Sequence, residues 1–387
     1  MASALTRRTF LGHLLAANPC LWSLSGLAGA CRDSSDLHSE RATPELLISA
    51  QGNAAKSFGV GWAQPAGHAE QCAVGFRGHD VVAHPLRPGH VLLIGRHPGR
   101  ELAEVQLAAQ RVVKRVVCMA NHELAGHACF SADGRTLFTT ESDYELGQGR
   151  IVVRDADDYR VLDVFSSHGV GPHELLLMPD GHTLAVANGG LRTHPKSGRR
   201  VLNLDTMVSR LSFIDARNGH LRSEHGLAEP KASIRHLGLS NQGELSVALQ
   251  MQREASDHTQ PVPLAAIYSA KGGLQALTGP EALLFHCKDY MGSTKVNNRS
   301  RIAGFTSPRG DIALFWHIDT QTLAGYHRFH DTCGLAVSLD EQNFILSNSA
   351  GQVRFLNANT LEERVEHRLS FPGFAWDNHM RALRMPA

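Results

Sequence analysis

Four histidines stand at the starts of successive apolar, strand-like runs. They are His79 before Asp80-Val81-Val82, His127 before Ala128-Cys129-Phe130, His173 before Glu174-Leu175-Leu176-Leu177, and His236 before Leu237-Gly238-Leu239. Imidazole nitrogen suits zinc, copper, iron and nickel, and imidazole is also the side chain that moves protons near neutral pH. Ser293 and Cys333 begin two further runs, so a thiolate at Cys333 would join His79, His127, His173 and His236 as a candidate metal ligand. The chain has 23 histidines at a formal net charge of +1. That surplus points to metal or proton chemistry unless the rings are structural.

These residues can meet only if the units that carry them are arranged around an axis. The runs recur at roughly the 40 to 50 residues of a four-stranded blade. Several are followed by a turn and a second strand: Ser131-Ala132-Asp133-Gly134 leads into Thr136-Leu137-Phe138-Thr139, and Pro179-Asp180-Gly181 into Thr183-Leu184-Ala185-Val186. These read as hairpins with Asp-Gly turns. No long apolar period of 3.6 is present, and short strands are broken throughout by Gly, Asp, Asn or Pro. The chain therefore reads as all-β, a seven-bladed β-propeller with inner strands beginning near Leu46, His79, His127, His173, His236, Ser293 and Cys333. A C-terminal strand around Phe374 to Leu383 returns to complete the first blade, which leaves no long exposed sheet edge. A two-sheet sandwich or two smaller β-domains would need no repeat. Insertions at Leu191 to Asp205 and Gln252 to Pro263 explain the uneven spacing.

In a propeller the starts of the inner strands and the loops between second and third strands share one end of the ring. On that end fall the four histidines, Glu174, Ser293 and Cys333, then Glu141, Ser142 and Asp143, then Asn188, Gly189, Gly190, Thr193 and His194, and Gln250. The Asp-Gly turns and Ser307-Pro308-Arg309-Gly310 are expected at the other end, with Arg309 structural. Glu141, Asp143, Glu174 and Asn188 are available to fix imidazole tautomers, and Glu141 or Glu174 is the general base if the funnel is catalytic. Asn188, Thr193, His194, Arg235 and Gln250 are the candidate ligand-binding residues. Each has a plainer reading. A Gly-His dipeptide ahead of an inner strand can be a hydrogen-bonding staple within its blade. Cys333 can be a small buried hydrophobe, Asn188-Gly189-Gly190 a tight turn needing positive φ, and Arg235 a buried bridge rather than an anion clamp.

The N-terminus reads Thr6-Arg7-Arg8-Thr9-Phe10-Leu11, then a modestly apolar stretch and Ala28-Gly29-Ala30. This predicts a twin-arginine export signal over 1–30, a linker over 31–43, and a single propeller domain over 44–387. The mature protein is expected in the periplasm as a monomer, with no transmembrane span after processing. A lipid anchor at Cys31 is the alternative to a soluble form. With 38 Lys+Arg against 37 Asp+Glu, no nucleic-acid footprint is present. Setting aside Cys20 and Cys31 of the signal region, five of the seven cysteines remain (Cys72, Cys118, Cys129, Cys287 and Cys333), so at least one thiol is unpaired or coordinated. The absence of Cys-x-x-Cys, of a serine nucleophile elbow, and of phosphate-cradling or dinucleotide glycine loops weakens thioredoxin-like, serine hydrolase, nucleotide-dependent and dehydrogenase readings.

Several long motifs resemble the bacterial family known as domain of unknown function 1513. They are Gly126 to Gly134, Ser167-His168-Gly169-Val170-Gly171-Pro172-His173-Glu174, Met178-Pro179-Asp180-Gly181, Ala187-Asn188-Gly189-Gly190 with Thr193-His194-Pro195, Leu202 to Met207, Ser233-Ile234-Arg235-His236, Ser307 to Gly310, and Trp376-Asp377-Asn378-His379. The resemblance implies twin-arginine export, a seven-bladed propeller, and genes beside imelysin-type, iron-regulated periplasmic proteins; it carries no catalytic residues. One departure is Arg96-His97-Pro98-Gly99, where a second arginine is expected. The leading expectation is a periplasmic propeller that binds iron or copper, as an ion or a chelate, in metal acquisition with imelysin-type partners. A metal-dependent hydrolase, lactonase or oxidoreductase using the same funnel, and a metal-free protein-interaction platform, are the alternatives.

Overall fold

The computed structural model describes residues 45–52, 58–198, 200–256 and 259–385. The segments expected to form a twin-arginine signal and a linker, with Cys31, lie outside them. Within them, the middle strands explain why the sequence shows short unbroken apolar runs rather than clean alternation. Val91 to Ile94 and Leu184 to Ala187 are buried at every position because each face of a blade packs on a neighbouring blade. Only the outer strands, such as Arg111–Val117 and Leu221–His225, expose one side to water.

The strands form seven four-stranded antiparallel sheets arranged as a ring, a seven-bladed β-propeller. The inner strands are Trp376–Arg384 (blade 1), Gly78–Ala83 (blade 2), His122–Phe130 (blade 3), Pro172–Leu177 (blade 4), Ala232–Leu239 (blade 5), Ser293–Asn297 (blade 6) and Thr332–Val337 (blade 7). Apolar side chains fill the space between blades. Leu92, Ile94 and Leu102 of blade 2 pack on Leu124, Ala128, Leu137 and Tyr159 of blade 3, and Phe315 of blade 6 meets Phe344 of blade 7 at 5.0 Å between ring centroids. The Asp-Gly turns form as expected, with Gly134 and Gly181 at φ of 73° and 72°.

Three expectations need correction. Leu46 lies in Glu45–Gln51, which is the second strand of blade 1; the C-terminal strand pairs with it (Leu46 opposite Leu383, Ser49 opposite Met380) and takes the axial place. The inner strand of blade 3 begins at His122 rather than His127. Ser307 to Gly310 joins the second and third strands of blade 6, Ile302–Ser307 and Ile312–His317, and so belongs to the histidine end. There Arg309 stacks on the Tyr290 ring at 4.8 Å.

All five cysteines among the described residues are free thiols. Burial pushes those of Cys118, Cys129 and Cys287 up to about 12, which leaves them as inert small side chains. No helix among the described residues is long and apolar enough to cross a membrane.

Candidate metal centre

Six of the seven inner strands break register with their neighbour near the end where they enter the axis. The breaks fall at Gly78/Asp80, Leu124/Ala128, Pro172/Leu175, Ile234/His236, Thr332/Gly334, and opposite Ser49/Gln51 between Trp376 and Met380. A bulge leaves its extra residue unpaired and re-aims the side chain. The residues released in this way include His79, His127, His173 with Glu174, Arg235, Cys333, and Asp377 to His379. Blades 1 to 5 thus deliver polar groups to an axis their apolar strands would otherwise close.

Five imidazoles meet there, from blades 1 to 5: His379, His79, His127, His173 and His236. Each is buried, and neighbouring ring centroids lie 4.5 to 5.8 Å apart. One nitrogen from each of His79, His127, His236 and His379 lies within 4.8 Å of the others. Their closeness requires Gly126, at φ 113°, because a Cβ there would sit 2.4 Å from His79 Cδ2.

The rings are held across blades, not inside them as staples would be. His127 Nδ1 lies 3.3 Å from Asp80 Oδ2 of blade 2, and His236 Nδ1 lies 3.1 Å from Glu174 Oε2 of blade 4. Both carboxylates accept the Nδ1 proton, which turns a bare Nε2 toward the axis; His127 Nε2 is buried there with no hydrogen-bond partner. Arg96 donates to His79 Nδ1 at 3.5 Å, so His79 carries its proton on Nε2 and points it at His379 Nε2, 3.4 Å away. His379 Nδ1 then donates to Ser293 Oγ at 3.3 Å. Beneath the rings, Arg381 donates to both Asp80 oxygens at 3.0 and 2.5 Å, and Lys295 lies near Glu174 and Asp80.

These contacts fix the charge state. The neighbouring cations and histidines outweigh burial at the carboxylates, holding Asp80 well below its ordinary range and Glu174 at about 2. Burial, reinforced by the crowding of rings, drives His79, His173 and His379 well below their usual value and His236 down to about 4. At neutral pH these four are uncharged, the form a metal ion requires. A stability consequence follows with a definite sign. In the unfolded chain these histidines take up protons near 6.5, so their contribution is intact above that pH and is lost as pH falls toward about 4. Below that, Asp80 and Glu174 add to the loss. The melting temperature is expected to fall steeply between pH 6.5 and 4, His236 alone contributing about 3 kcal/mol at ~1.4 kcal/mol per pH unit. A melting temperature flat across that interval would contradict the buried neutral cluster.

The candidate residues separate clearly. His79, His127, His173 and His236 converge, and Glu174 supports His236. Cys333 does not join them: its thiol donates to the Trp376 carbonyl at 3.2 Å, and burial raises it far above the usual range. Glu141 is bound inside blade 3 by Arg154 at 2.7 Å, His122 at 3.0 Å and Thr139 at 3.0 Å, which removes it as a general base. Asn188 bonds Ser212 of blade 4 and Ser167 in the connection leading into that blade, and His194 caps a short turn and faces Glu145 at 3.5 Å. Thr193, Arg235 and Gln250 line a cavity of about 280 Å³ above the rings, together with His97 at the position of the sequence departure. His379 and Asp80 were not among the expected site residues. The motif Trp376-Asp377-Asn378-His379 held the signal for His379, since it opens the strand that closes the ring.

Hydrazine synthase of Kuenenia stuttgartiensis is similar in fold, with a TM-score of 0.58 at 12% identity over 75% of this chain and 86% of that one. No curated protein matches the chain. A family model does match, over residues 72–383, a span that includes all five axial histidines, Asp80 and Glu174; the chain belongs to the family described as protein of unknown function DUF1513.

Proposed function

We propose that this protein binds one transition-metal ion, iron or copper, among its axial histidines and serves metal acquisition outside the cytoplasm. The observation that carries this reading is the buried, unpartnered Nε2 of His127 facing three further imidazoles within 4.8 Å. An unsatisfied buried acceptor costs ~1–3 kcal/mol, and an ion bound at that point removes the cost. His127, His236 and His379 would supply Nε2 lone pairs, and His79 would join by moving its proton from Nε2 to Nδ1, with Arg96 leaving Nδ1 and keeping its bond to Asp377. Iron or copper is preferred over a hard cation because every donor is imidazole nitrogen. Export by the twin-arginine route and partnership with imelysin-type proteins complete the proposal, supported by the N-terminal motif and by the family resemblance.

A titration tests it. Chelator-stripped protein given Fe(II) or Cu(II) at neutral pH should bind one equivalent. X-ray absorption of the product should show imidazole nitrogen at about 2.0 Å, the ordinary distance for such bonds. Binding with only oxygen or sulfur neighbours would overturn the assignment.

A further inference from the structure

The cavity above the histidines contains a cation that nothing nearby neutralises. Arg235 is the bulge residue of blade 5, placed by the register break between Ile234 and His236. Among the described residues its guanidinium makes no hydrogen bond and no ion pair, and its Nε is buried without a partner. The residue is half-buried, with Nε shut off from water, so its partial desolvation has no counter-charge to offset it. A guanidinium keeps its charge at neutral pH.

The surroundings add to the positive potential. Arg96, which also faces the cavity, shares the single carboxylate of Asp377 with Arg77, at 2.7 and 3.0 Å. Among the described residues no acidic side chain lines the cavity. Neutral donors line the same cavity: Tyr290, whose hydroxyl accepts from Asn378 at 3.0 Å and so has its own proton left to give, and the amides of Gln250 and Gln252. Ala125, Leu191 and Val201 supply apolar wall. Such walls suit a carbon skeleton, which an inorganic anion lacks. The volume, 280 Å³, lies just below the ~300 Å³ lower edge of pockets for drug-sized ligands, which sets the occupant as a small molecule.

We propose that this cavity is a binding site for a small organic polycarboxylate, clamped by the Arg235 guanidinium and oriented by Tyr290 and Gln250. The floor of the cavity includes His79 and His173, so one end of the acid faces the imidazole layer. The site takes the acid either free or as a carboxylate chelate of the ion described above. Only the chelate form rests on the metal reading.

Calorimetric titration with citrate tests this on the folded full chain, both chelator-stripped and loaded with one equivalent of Fe(II) or Cu(II). The wild type should bind citrate, and Arg235→Gln should weaken binding about 10- to 100-fold, the loss expected for a charge-assisted hydrogen bond. Because Arg235 bonds to nothing in the fold, the same variant should melt no lower than the wild type. Citrate binding to the stripped protein that depends on Arg235 sustains the inference even if the histidines retain no metal, and dependence on loading identifies the chelate as the ligand. The inference is overturned by absent citrate binding in both states, by equal binding in Arg235→Gln, by a lowered melting temperature in that variant, or by inorganic phosphate binding as tightly with the same dependence.

Discussion

Glutamine at both His127 and His379 should reduce affinity for iron or copper by more than about 100-fold, beyond the ~10–100-fold typical when only a residue supporting a ligand is lost. Glutamine keeps a side chain of similar length, and its amide can still donate to Asp80 or Ser293, which accept from these rings. Neither change strands a charge, since Asp80 retains Arg381. The circular dichroism of the propeller should therefore persist while ion content falls toward zero. His173→Gln is the internal comparison: its ring touches the cluster, but it is not one of the four whose nitrogens converge. It should cost about tenfold or less. Equal losses in the two variants would mean that metal retention follows general packing rather than these ligands.

The second large effect belongs to Asp80→Ala. Asp80 is almost fully buried and accepts from His127, from Arg381 and from the Val81 amide at 2.8 Å. Removing it leaves Arg381 without its counter-charge and frees the His127 tautomer. Breaking a buried pair costs ~3–5 kcal/mol; the Arg381 side chain is 27% exposed, so the low end, about 3 kcal/mol, is expected from urea unfolding. Metal affinity should fall about 10- to 100-fold in the same variant. A stability change near zero would show that water, not Asp80, satisfies Arg381.

The propeller was legible because its units repeat: apolar runs after a histidine, Asp-Gly turns, and a C-terminal strand available to close the ring. The errors have a common physical origin. Placing Leu46 on an inner strand assumes that the N-terminal strand starts a blade as the others do. When the C-terminal strand takes the inner place, the axial position passes to His379, which is why that ring was missed. Asp80 was read as the first residue of an apolar run, and nothing local reveals that it accepts from a histidine 47 residues away. The bulges were also invisible, and they decide which residues face the axis. Cys333 sits at one, yet the neighbouring Trp376 carbonyl captures its thiol. Asn188, read as part of a ligand-facing loop, is the last residue of the buried strand Thr183–Asn188, where its amide donates to the Ser167 carbonyl of the incoming connection and to Ser212.

Elemental analysis of the full-length protein, purified without chelators or a histidine tag, tests the central claim most directly. The account predicts about one iron or copper per chain, lost in the His127→Gln/His379→Gln variant. A well-folded protein that carries no metal, and takes up none when offered Fe(II) or Cu(II), would contradict it.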